Sequence, residues 1–84
     1  MRIISPWRDR AGYVTIMLAT LKEAMRGHDD IHVTLYNNES EQPPPVICDD
    51  FDDKLSHVGI ESYKKSVSHA CHHVYIDMIS QEFA

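Results

Sequence analysis

The chain has 84 residues, 43% of them hydrophobic and 25% charged, with a formal net charge of −5. Below roughly 100 residues a chain cannot divide its apolar side chains between two cores, so the length leaves room for one domain, and the composition excludes wholesale disorder. The longest apolar stretch, Val14 to Ala19, is interrupted by Thr15 and falls far short of the roughly 20 residues that span a bilayer, so no membrane segment is expected.

The charges among the first ten residues leave no apolar run for a secretion signal, and Cys48 and Cys71 are too few for a disulfide framework. Both are expected to be free thiols in a reducing cytoplasm. A domain this small buries only about 60 to 65% of the surface that its unfolded chain exposes. A partner, a metal or a second copy would make up that shortfall, and homodimerisation is plausible on size alone.

In chain order, Arg2 to Ser5 reads as a short strand. Ser5-Pro6 supplies a capping residue and a first-turn proline, so a helix is expected to start there or at Asp9. Val14, Leu18, Leu21 and Met25 recur at helical spacing between Tyr13 and Arg26, with Tyr13, Ile16, Met17 and Ala24 widening the stripe. Lys22 and Arg26 suit the end of that helix, and Gly27 suits its left-handed terminator. Ile31, Val33 and Leu35 alternate with His32, Thr34 and Tyr36 as a half-buried strand.

Glu39 to Pro45 holds three consecutive prolines and reads as a loop. Val46-Ile47-Cys48 is expected to be a third short strand, and Asp49-Asp50-Phe51-Asp52-Asp53 to be exposed by its charge. A second helix is expected from about Ile60 to Glu82, with Tyr63, Val67, Ala70, Val74 and Met78 inward. The resulting fold class is α+β: a small two-layer domain with two helices packed on one side of a two- or three-stranded sheet. Its first β-α-β is compatible with a right-handed parallel unit. The expected core includes Val14, Leu18, Leu21, Val33, Leu35, Val67 and Val74, with Trp7 closing it.

Charge is unevenly distributed. From Asp29 to Asp53 there are eight acidic residues and no lysine or arginine, whereas residues 1–28 carry five basic and two acidic side chains. The plainer reading is a solvated loop region. The functional reading is a negative face, formed by Glu39, Glu41, Asp49, Asp50, Asp52 and Asp53, that docks on a basic protein surface. Direct nucleic-acid binding is disfavoured, because phosphate contacts need clustered lysine and arginine. An EF-hand match at Asp50 and Asp52 fails, since Lys54 stands at the next ligand position and no glycine follows.

His69, His73 and Asp77 are spaced by four along the second helix, so His69 and His73 form a candidate chelating pair for a transition metal, with His72 beside them. The set is incomplete: a structural zinc needs four ligands, and Cys48, His28, His32 or His57 would have to be brought in. Surface histidines on a polar helix face are the competing reading. Thiol catalysis at Cys48 or Cys71 has no signature beyond composition, and the isolated Gly12, Gly27 and Gly59 form no phosphate-binding loop.

The expectation is therefore a non-enzymatic, cytoplasmic interaction protein without a cofactor, an inhibitor or adaptor that presents its acidic segment to a basic surface of a larger protein, including one that normally holds nucleic acid. Small acidic inhibitors of viruses and mobile elements offer an analogy of composition alone. The alternative is a small metal-binding protein that uses the histidine-rich helix.

Overall fold

The fold, a computed structural model that describes residues 1–60 and 78–82, begins with β1 (Arg2–Trp7), followed by helix α1 (Ala11–Ala24) and β2 (His32–Asn37). A 3-10 segment (Val46–Lys54) then leads into β3 (Leu55–Gly59). The strands form one parallel sheet in the order β1-β2-β3. Six consecutive residues of β1 match β2, from Arg2 opposite His32 to Trp7 opposite Asn37. On the other side Val33 lies opposite Leu55 and Asn37 opposite Gly59. Ile60 N–H donates to Asn37 O at 2.9 Å, carrying the pairing one residue further.

Ser5 and Pro6 belong to β1 and do not start the helix. Proline is tolerated there because β1 is a terminal strand in the described sheet, and a strand at that position can lose an N–H on its outer side. Helix α1 instead starts at Ala11, where the Gln42 side chain accepts the Ala11 N–H at 3.0 Å in place of a local cap. It ends as expected, with Gly27 at φ 80°, a conformation that favours glycine.

The expected strand at Val46-Ile47-Cys48 is the opening of the 3-10 segment, and the actual third strand lies downstream, at Leu55–Gly59. Three prolines deliver the chain in an extended conformation, and Cys48 N–H then bonds Pro45 O at 3.0 Å, curling the β-branched residues into a turn. This segment packs against α1. Crossovers that step the same way across a parallel sheet share one hand only when both lie on the same face, and the right hand is strongly favoured.

On that face Trp7, Val14, Leu18, Met25, Val33, Leu35, Cys48 and Phe51 form the main core, with Leu21 partly buried against it. Trp7 Nε1 is buried with no acceptor among the described residues. The opposite face, one position out of phase along the strands, carries Tyr36, Ile60 and Met78, with Ile4 and Val58 packed beside them. Residues 78–82 are helical. Met78 thus closes on the face away from α1, so the described end of the expected second helix does not share α1's side. Ile60, expected to begin that helix, is a buried residue just beyond β3.

The rest of the expected helix lies outside the described residues, including Val67, Val74, Cys71, His69, His72, His73 and Asp77. With both faces covered, β2 reads as a continuous buried run, Val33 to Tyr36, and not as the half-buried alternation its sequence suggests.

Candidate functional site

The six acidic candidates separate into two groups at opposite ends of the sheet. Asp49, Asp50, Asp52 and Asp53 lie where β2 and β3 begin, beside the end of α1, and all four are exposed. Phe51 explains the arrangement: its ring is 5% exposed in the core, and Cys48 is buried one turn earlier. With those two side chains inward, the intervening carboxylates splay into water. At Asp52 the backbone turns sharply, with φ 51° and ψ −124°. Few L residues adopt that conformation, and glycine does so freely.

The same end carries Asp29 and Asp30, both exposed, in the turn before β2. Lys54 Nζ reaches Asp29 Oδ1 at 3.3 Å, and Lys22 Nζ reaches Asp50 Oδ2 at 3.4 Å. Arg26 is held by Glu23 at 2.8 Å. Exposed pairs of this kind contribute about 0 to 1 kcal/mol each. With Glu23 included, seven carboxylates thus face three side-chain cations, and Asp49, Asp52 and Asp53 make no ion pair among the described residues. A cleft of about 270 Å³ opens between Met25, Phe51, Lys22 and Asp52. Beneath the rim, burial first and the Asp49 charge second push the Cys48 thiol above its ordinary pKa. That thiol is free and buried, unsuited to attack on a substrate.

Glu39 and Glu41 sit at the other end, roughly 20 Å away along the six residues of β2. There Asp9 adopts φ 51° and its Oδ1 accepts the N–H groups of Glu41 at 2.6 Å and Gln42 at 3.0 Å. Asp9 N–H donates to Ser40 Oγ at 3.0 Å, and Ser40 N–H donates to Asn37 Oδ1 at 2.7 Å. These bonds lace the β1–α1 turn to the loop after β2. Glu39, at φ 55°, lies in that loop and not at the acidic rim. The strand order has no reversal, so the described sheet has no crevice between diverging crossovers at its carboxyl end.

A third group was not singled out from sequence. On the second face, Tyr36 O–H donates to Glu82 Oε2 at 3.0 Å, and Arg2 Nε pairs with Glu82 Oε1. Arg2 also reaches Thr34 Oγ1 at 3.5 Å, and His32 Nε2 contacts Ser56 Oγ at 2.8 Å. Burial foremost, then the hydrogen bond and charge of Glu82, raise the Tyr36 pKa, with Arg2 opposing. Residues at even positions of β1, β2 and β3 share this face, a signal that becomes readable once β3 is located.

Among the described residues no group of three histidine, cysteine, aspartate or glutamate side chains converges as metal ligands. None of their helices is long and apolar enough to cross a membrane. No family model, curated protein or solved structure matches the chain.

Proposed function

We propose that this chain is a non-enzymatic interaction protein, an inhibitor or adaptor in the cytoplasm, that docks its acidic rim on a basic surface of a larger protein. The observation that carries the reading is the concentration of exposed carboxylates where α1 ends and β2 and β3 begin. Asp49, Asp50, Asp52 and Asp53 project from a segment pinned by Phe51, with Asp29 and Asp30 alongside.

Holding like charges together costs self-repulsion, and the charge is largely unneutralised within the described chain. A basic partner relieves that repulsion, and lysine or arginine on the partner would replace the weak contacts of Lys22 and Lys54. Glu39 and Glu41 lie too far away to share the same contact, so the proposed docking surface is narrower than the acidic stretch in sequence. Its neighbour in space is the end of α1.

The experiment is capture of partners from an extract of the source cell on the immobilised chain, with stepwise elution by salt. A partner held by this rim carries a basic patch and elutes as ionic strength rises, because exposed charges are screened beyond about 8 Å at 0.15 M. Recovery only of partners that resist salt and lack basic surface would reject the reading.

A further inference from the structure

The proline segment between β2 and the 3-10 turn has a conformation set by its own covalent structure. Each pyrrolidine ring holds φ at about −65°, and a residue that precedes proline is driven into the extended region, so Gln42-Pro43-Pro44-Pro45 is confined to an extended left-handed path. Pro45 shows it directly, at φ −66° and ψ 149°, the dihedral angles of a polyproline helix.

Both ends of this strut are tied down. Asp9 Oδ1 accepts the Glu41 and Gln42 N–H groups, and the Gln42 side chain accepts the Ala11 N–H. At the other end Cys48 N–H donates to Pro45 O, and Cys48 and Phe51 are buried in the main core. A segment already fixed in one conformation loses little entropy when a partner binds it.

The strut faces outward. Pro43 and Pro44 are exposed, and Val46, at 83%, is the most exposed large apolar side chain among the described residues. A polyproline helix has three residues per turn, so Pro43 and Val46 share one edge. The change to 3-10 structure at Val46 alters ψ far more than φ, so its side chain keeps that direction. The prolines have no N–H and offer a partner only carbonyl acceptors and ring surfaces. Grooves lined by aromatic side chains recognise that combination: the pyrrolidine rings fit between the aromatic rings, and a tyrosine O–H or tryptophan N–H donates to a proline carbonyl.

We propose that residues 42–46 are a docking strut for a protein domain with an aromatic-lined groove of the SH3 or WW type. Val46 stands where a further turn of polyproline would place a ring, so the groove that fits has an apolar pocket for a branched side chain at that register. The contact is independent of the acidic rim and differs from it in its response to salt, because apolar stacking is not screened by ions.

Isothermal titration of the full chain against a panel of purified SH3 and WW domains tests this. At least one domain is expected to bind saturably below about 1 mM, with little change between about 0.1 and 0.5 M salt. Pro43→Ala/Pro44→Ala should weaken that binding about tenfold and Val46→Ser about threefold, with unchanged circular dichroism spectra, since all three sites are exposed. The variant with Asp49, Asp50, Asp52 and Asp53 changed to asparagine should bind the same domain like wild type, which separates this contact from the rim. A panel in which no domain binds overturns the proposal. So does binding that the proline and valine variants leave unchanged, or that is lost in the asparagine variant or at the higher salt.

Discussion

The Tyr36 hydroxyl donates a 3.0 Å hydrogen bond to Glu82 Oε2, joining the central strand to a residue 46 positions later, while Arg2 of β1 holds the other carboxylate oxygen. The Glu82 side chain is only 11% exposed. Removing the phenolic donor leaves that carboxylate with one strong partner fewer in a partly desolvated setting. Tyr36→Phe is therefore expected to lower unfolding stability by about 1 to 2 kcal/mol, read from the urea midpoint at constant slope. An unchanged midpoint would mean that the end of the chain is held by packing at Met78 alone.

The same pair gives a pH dependence of defined sign. Burial first, and Glu82 second, raise the Tyr36 pKa, so the folded chain holds the phenolic proton more tightly than the unfolded chain. The associated stability is complete below the unfolded value of about 10 and is lost as pH rises through the folded value. Wild type should lose melting temperature above about pH 10 more steeply than Tyr36→Phe. Parallel slopes for the two proteins would contradict this assignment.

Asp52 occupies a backbone conformation, φ 51° and ψ −124°, that costs an L residue of order 1 to 3 kcal/mol. Its carboxylate makes no ion pair among the described residues. Asp52→Gly is expected to raise stability by about 1 kcal/mol, a gain of a few degrees in melting temperature. A loss of stability on this substitution would show that the Asp52 side chain contributes more than its backbone costs.

Leu18 is fully buried between Val14 and Met25 in the main core. Leu18→Ala should cost about 2 to 5 kcal/mol, and Leu18→Asp should unfold the protein by burying an unpaired charge. A melting temperature unchanged in the aspartate variant would place this residue on the wrong face.

How far the fold was legible depended on whether one local signal dominated. Helix α1 was readable because Val14, Leu18, Leu21 and Met25 repeat over about three turns, and Gly27 closes it in the conformation glycine favours. Tyr13 and Ile16 were absorbed into that stripe because they are apolar, although Ile16 lies opposite it. β3 was hidden: Ser56, His57 and Gly59 dilute its alternation, while the β-branched Val46 and Ile47 draw attention to a segment that the prolines turn into 3-10 structure.

For the candidate site, the acidic stretch was visible in sequence but its division was not. Glu39 and Asp49 are ten positions apart, yet the chain between them crosses from one end of β2 to the other. Phe51, the residue that orients the rim, was masked by the four aspartates around it. The Arg2, Tyr36 and Glu82 group needed the strand register, which no local pattern specifies.

The rim of Asp49, Asp50, Asp52 and Asp53 is the surface proposed to make the partner contact. It is tested most directly by comparing three immobilised proteins in one capture experiment with quantitative mass spectrometry. These are the wild type, the variant with all four aspartates changed to asparagine, and Glu39→Gln/Glu41→Gln at the opposite end of the sheet. Asparagine keeps the side-chain size while removing four charges, and the four residues are exposed, so the circular dichroism spectrum should be unchanged. A basic protein should be enriched on the wild type, retained by the glutamine variant, and reduced about tenfold or more on the asparagine variant at low salt. Equal recovery on all three proteins across a range of salt would contradict it.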